Sequence, residues 1–142
     1  MAAALWSRPT AGGPSAGRGE MRGVGPVPAT APLYRCVERA ERRALVRVPL
    51  RRCTERTIVT LGGLATELAT VRTRGFAVDD GEYQPDVRCV AAPVFDHGGL
   101  VVASLGVSCP SDHLTGKRLG DLCTTVRAAA ARVTLSVGGL QP

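Results

Sequence analysis

Residues 74–110 read RGFAVDDGEYQPDVRCVAAPVFDHGGLVVASLGVSCP, and the fold class is decided there. VRCVAAPVF (87–95) and LVVASLGVS (100–108) are apolar runs of strand length, joined by the turn-forming residues Asp96-His97-Gly98-Gly99. Such a connection makes an antiparallel hairpin. Whether the turn uses His97-Gly98 or all of 96–99, the expected register pairs Val90 with Leu105, Ala92 with Ala103 and Val94 with Val101, giving one apolar face. The opposite face would pair Val87 with Ser108, Cys89 with Gly106 and Ala91 with Ser104. These side chains are too small to fill a core and too apolar for a solvent face. Two readings stay open: the floor of a small-molecule pocket, or a floor covered by a loop that fills it.

Working outward, Leu64, Leu68 and Val71 recur at helical spacing, Arg72 and Arg74 occupy the last turn, and Gly75 stands where a helix C-terminus favours positive φ. Phe76-Ala77-Val78 predicts a brief strand, stopped by the turn cluster Asp79-Asp80-Gly81. Beyond the hairpin, Leu119, Leu122, Val126, Ala129, Val133 and Val137 mark a long amphipathic helix. It is expected to start from Thr115 or Ser111 and to stop at Gly138-Gly139. Helix, strand, strand, strand, helix is an α+β order: an antiparallel sheet with helices packed on one face.

The remaining residues are a different material. Among 142 residues the net charge is +6, but residues 1–60 hold 11 arginines against 4 glutamates, while 61–142 hold 7 basic and 8 acidic residues. A nucleic-acid reading would therefore concern the first part alone. Residues 1–31 are rich in glycine and proline without apolar periodicity and are expected to be disordered. Residues 32–56 are arginine-rich; Val37, Ala40, Ala44 and Val48 fall near helical spacing until Pro49 ends the pattern. No second helix and turn accompany it for reading a DNA groove, and only Tyr34 stands near it to stack a base.

No apolar run approaches the roughly 20 residues that cross a bilayer. Ala2–Trp6 lacks a preceding charge and ends at Arg8-Pro9, so it does not make a secretory leader, and a cytoplasmic home is expected. Cys36, Cys53, Cys89, Cys109 and Cys123 form no CxxC pair, and His97 and His113 lie far from a second ligand. Free thiols are expected, with no metal and no cofactor. A cysteine enzyme built on Cys89 would need a nearby cation or base; on a strand Arg88 points to the other face, His97 sits at the far turn, and only His113 could approach.

The motifs RGF, DD-x-EY (79–83), RC-x-AAPV-x-D (88–96) and a closing S-x-P (108–110) resemble the C-terminal effector-binding domain of IclR-type bacterial transcription regulators, over about Thr57 to Gly139. The resemblance implies a GAF-like fold, incomplete at its N-terminal side, in residues 57–140, with 32–56 as a degraded start and no winged-helix DNA-binding module. It implies sensing of a small organic effector such as a carboxylate, homo-oligomers, no direct DNA binding by this chain alone, no membrane and no enzymatic activity. The family's effector-lining positions fall on Asp79, Cys89, Gly106 and Ser108, with Val87 beside them on the floor. Gly106 stands where the family carries a serine, so one hydroxyl is missing there, and Cys109 replaces a usual glycine. Alternatives of other kinds are a non-functional remnant, an oligomerisation partner of a full-length regulator, and a basic nucleic-acid binder.

Overall fold

The computed structural model describes residues 2–7 and 50–140. Within them the chain runs β1 (Ala2–Ser7), α1 (Leu61–Arg74), β2 (Ala77–Asp80), β3 (Val87–Phe95), β4 (Val101–Pro110), a short 3-10 turn (Ser111–His113) and α2 (Lys117–Ser136). The strands form one antiparallel sheet in the order β1-β4-β3-β2.

The β3–β4 connection sets the register. The Asp96 N–H donates to Leu100 O at 2.9 Å, and the Asp96 carboxylate accepts from the N–H groups of Gly98 (2.8 Å) and Leu100 (2.9 Å). Gly99 takes φ 74°, the left-handed closing position of a three-residue loop. Phe95 then pairs with Val101 and Val94 with Ala103, leaving Val102 as the extra residue of a bulge. The expected pairing is corrected: Val90 faces Val107, Ala92 faces Leu105, and Cys89 faces Ser108. Loop and bulge each slip the register by one residue in the same direction. Because strand faces alternate with period two, the double slip keeps residues 103–110 on their expected faces, whereas Val101, paired with Phe95, leaves the expected core face and packs with Val71 and Ala77.

That face is the core. Val90, Ala92, Val94 and Ala103 are buried against Cys123, Val126 and Ala130 of α2, with Leu105, Val107, Leu119, Leu122 and Val133 packed around them. The helix differs from expectation at its start, while its end agrees: Val137 caps it and Gly138 follows at φ 73°. Its N-cap is Gly116, at φ 49°, with no side-chain cap, and Ser111 belongs to the 3-10 turn. The buried stripe runs Cys123, Val126, Ala130 and Thr134, while Val137 is exposed.

α1 follows the sequence reading: Leu64, Leu68 and Val71 are buried, the Thr60 hydroxyl accepts from Gly63 N–H at 3.1 Å, and Gly75 closes the helix at φ 77°. β2 is longer than the expected Phe76–Val78, since Asp79 and Asp80 continue the strand and the turn begins at Gly81. The Asp80 carboxylate is held by Arg88 and, at 3.0 Å, by Arg56. Arg88 also donates to Ser111 O at 3.2 Å and to Leu114 O, tying β3 to the approach of α2. Thr54 Oγ1 donates to Gly81 O at 2.7 Å and Thr57 Oγ1 to Glu82 O at 2.5 Å, laying the segment before α1 along the β2–β3 turn.

At the N-terminus the expectation of disorder over 1–31 is amended at Ala2–Ser7, which pairs along β4 from Ala2↔Ser108 to Ser7↔Ala103. A strand edge offers regularly spaced N–H and C=O groups, and a short segment can satisfy them through backbone alone. The rest of that stretch and the helical pattern over 35–48 lie outside the described residues.

A latch closes the far end of the core. The buried Thr134 hydroxyl accepts from Phe95 N–H at 3.1 Å, Gly139 N–H donates to Thr134 O at 2.8 Å, and Leu140 N–H to Asp96 O at 3.0 Å. A Cβ on Gly139 would lie 2.0 Å from Phe95 O, so only glycine fits. We expect Gly139→Ala to cost about 1–3 kcal/mol through forced displacement. Thr134→Val should cost about as much by leaving a buried N–H unpaired. Each should lower the melting temperature by roughly 4–8 °C per kcal/mol in a thermal melt followed by circular dichroism. An unchanged Tm for both variants would mean that the latch is not formed in solution.

Candidate functional site

Once α2 covers one face of β3 and β4, the odd residues of β3 and the even residues of β4 are left to the other. There the register lines up Asp79, Cys89 and Ser108 as direct cross-strand partners, with Ala2 of β1 next in the row. One step along lie Ala77, Ala91, Gly106 and Ala4; a further step brings Pro93, Ser104 and Trp6. Of the five residues singled out from the sequence, Asp79, Cys89 and Ser108 thus meet side by side. Gly106 is their neighbour along β4. Val87 pairs with Pro110 at the end of the floor, its backbone tied into the turn through Gly81 N–H to Val87 O at 3.1 Å.

The environment of each differs. Asp79 is buried, and its carboxylate accepts from Glu82 N–H at 2.6 Å, which anchors the start of the turn. Cys89 is half-buried and takes a hydrogen bond from the Ser108 hydroxyl at 3.1 Å. Burial pushes the Cys89 thiol up from its ordinary pKa; the Ser108 hydrogen bond opposes this, and the Asp79 and Cys109 charges add to it. The thiol is therefore held protonated, the opposite of what a nucleophile requires. Arg88 is committed to Asp80, Ser111 and Leu114 on the other face, and His113 is exposed with Asp112 at 4.0 Å. Ser108 is exposed, Gly106 is buried, and Ser104 is 1% exposed, so the row of small residues along β4 passes from open to closed.

Ser104 is the feature that periodicity alone could not single out. Its hydroxyl is buried with no hydrogen-bond partner, a state that costs about 1–3 kcal/mol. Sequence reasoning placed it on the floor only as a small residue, since a missing partner is visible only when the neighbours are known.

A hollow of about 420 Å3 opens elsewhere, on the α2 side, among Arg72, Gly75, Phe95, Thr124, Arg127 and Ala128, and it touches none of the five expected residues. Its arginines are exposed and its shape is that of a cleft between helix and hairpin, so the Asp79–Cys89–Ser108 row is the better candidate site. Among the described residues no cluster of three or more His, Cys, Asp or Glu could hold a metal, and no helix is long and apolar enough to cross a membrane.

With this geometry in view, residues 32–135 match the family described as the bacterial transcriptional regulator IclR C-terminal domain. The Escherichia coli K12 transcriptional regulator KdgR is 35% identical over 91 residues, covering 64% of this chain and 35% of that protein. The chain spans about a third of the length of the curated relatives it matches. The crystal structure of the KdgR C-terminal domain superposes with a TM-score of 0.70 at 31% identity, covering 77% of this chain and 70% of that one. The inducer-binding domain of a PobR double mutant from Acinetobacter, in complex with 3-hydroxybenzoic acid, shares the fold, with a TM-score of 0.66 at 20% identity over 74% of this chain and 63% of that one. The matched relatives are regulators of transcription, not enzymes.

The protonated Cys89 thiol gives a direct test. In site-resolved alkylation with iodoacetamide, the rate at Cys89 should climb with pH about a midpoint above that of an ordinary free thiol, and Ser108→Ala should raise the midpoint further by removing the bond that favours thiolate. A midpoint at or below the ordinary value would contradict the burial described here.

Proposed function

Because the chain belongs to the IclR C-terminal family of bacterial transcriptional regulators, we propose that residues 57–140 form an effector-sensing domain that binds a small organic acid over the Asp79–Cys89–Ser108 row. The observation that carries this reading is the row itself. Three strands deliver a carboxylate, a neutral thiol and a hydroxyl to one line on the sheet face that α2 leaves free. The chemistry suits recognition: the Cys89 thiol donates to an acid oxygen, the Ser108 hydroxyl exchanges its bond to Cys89 for one to the acid, and Asp79 accepts from a hydroxyl or a protonated group on the ligand. Ala77, Ala91 and Gly106 are buried beside the row, Ala77 against Val71 of α1, so a ligand would reach the row from the open side at Ser108 and Cys89. The PobR domain binds 3-hydroxybenzoic acid, an aromatic acid with a hydroxyl, which supports the same ligand class here.

In this reading the domain works in the cytoplasm as part of a homo-oligomeric regulator. Residues 61–142 carry 7 basic and 8 acidic side chains, so the phosphate attraction that dominates DNA affinity would come from residues outside the sensing domain.

Isothermal titration of the full chain against small aliphatic carboxylates and aromatic acids, 3-hydroxybenzoate among them, tests this. At least one acid should release heat and raise the melting temperature, and Ser108→Ala should weaken it by about tenfold, the worth of one hydrogen bond to a charged group. A folded sample that gives neither heat nor a Tm shift with any of them would sink the reading.

A further inference from the structure

β2 and β3 are unequal partners. β2 begins at Ala77, opposite Ala91, while β3 runs on to Phe95, so among the described residues no strand lies beside β3 from Ala92 onward. Proline at 93 suits such an edge, because it has no N–H to leave unpaired. The hollow of about 420 Å3 follows this edge, between the end of α1 and α2. Its walls are apolar, from Ala92, Pro93 and Phe95 on the strand and Ala128 and Ala131 on the helix. Its rim carries two cations, Arg72 and Arg127, and its lining holds no acidic residue. These arginines are unspent. Arg56, Arg74 and Arg88 are each bound to a carboxylate, whereas neither Arg72 nor Arg127 has an acidic partner among the described residues. Arg127 makes one long bond, 3.5 Å to Arg74 O, which leaves most of its five N–H donors available.

We propose that this cleft is a second binding site, for an aromatic monocarboxylate whose ring lies along Ala92, Pro93 and Phe95 and whose acid group sits between Arg72 and Arg127. Two unpaired cations on the rim of one hollow repel each other and attract an anion. Thr124 Oγ1 donates to Gly120 O at 3.1 Å, so the arginine forks are the donors left for a ligand. Planar guanidinium groups match a planar carboxylate. A phosphate would call for a cradle of backbone N–H groups, which a helix flank does not offer. The volume falls within the roughly 300–1,000 Å3 of small-ligand sites. Arg72 belongs to α1, whose Val71 packs on Ala77 on the Cys89 side of the sheet, while Arg127 belongs to α2 on the other side. A carboxylate held by both ties together the helices of the two faces around the open edge of β3. The cleft shares no residue with the Asp79–Cys89–Ser108 row, so the two sites stand or fall separately.

Naphthoate and its uncharged amide, titrated into the isotope-labelled full chain with backbone amide signals followed by NMR, test this. Naphthoate should shift the signals of Gly75, Thr124 and Ala128 saturably, and the amide should bind there about tenfold more weakly. Arg72→Gln and Arg127→Gln should each weaken naphthoate by about tenfold, the worth of one hydrogen bond to a charged group. Ala128 is exposed on a helix that accepts leucine readily, so Ala128→Leu should fold and should abolish the shifts by filling the hollow. Shifts confined to Cys89 and Ser108 would overturn the cleft and leave the effector site standing. So would equal binding of acid and amide by wild type, a comparison that needs no variant to fold. The absence of any shift at Gly75, Thr124 and Ala128 would overturn it as well.

Discussion

The structure depends on one act of burial: Val90, Ala92 and Val94 go under α2, against Cys123, Val126 and Ala130. Side chains on a strand alternate, so this choice simultaneously assigns Cys89, Ala91 and Pro93 to the opposite face. Nothing at the candidate site has to be specified separately. The same alternation explains why the hairpin tolerates an irregular connection. A three-residue loop alone would have put β4 out of phase with β3, turning Ser104, Gly106 and Ser108 toward the helix; the extra residue at Val102 restores the phase. Loop and bulge are two halves of one solution, and each would be disruptive without the other.

Alternation also divides labour between two adjacent acids. Asp79 and Asp80 look equivalent in the sequence, yet they stand on opposite sides of β2. Asp80 is bound by Arg88 and Arg56, and through Arg88 it joins the strands to the carbonyls that precede α2. Asp79 stands opposite Cys89 and holds the Glu82 amide. One carboxylate serves the scaffold and its neighbour serves the free face. Arg88 and Cys89 repeat the pattern on β3: the cation is taken into the scaffold, while burial, with the Asp79 charge adding to it, keeps the thiol on the other face protonated.

How much of this was legible follows from where the information lies. α1 could be read to its cap because Leu64, Leu68, Val71 and Gly75 act locally, within one helix. The bounds of β3 and the two faces of the hairpin were legible for the same reason. Pairing was not, since loop length and a bulge at Val102 depend on the Asp96 carboxylate bonding the Gly98 and Leu100 amides, which periodicity does not record. Composition also concealed β1: Ala2–Ser7 pairs through its backbone, and backbone pairing leaves little trace in a stretch dominated by glycine and proline downstream. At α2 the strong Leu and Val positions drew attention away from Cys123, Ala130 and Thr134, whose smaller side chains are the ones that meet the sheet directly. Of the site, Asp79, Cys89 and Ser108 could be named from motif likeness, whereas the solitary state of Ser104 is a property of its surroundings and of no sequence pattern.

The Gly139 latch has a consequence for how the chain is made. Phe95, against which the latch closes, is added to the growing chain 44 residues before Gly139. At about 5–20 residues per second that interval is roughly 2–9 s. Throughout it the apolar side of the hairpin has no helix to lie beneath. The nascent domain therefore passes through a window in which it is a substrate for chaperones, and the addition of its last helix is what ends that window.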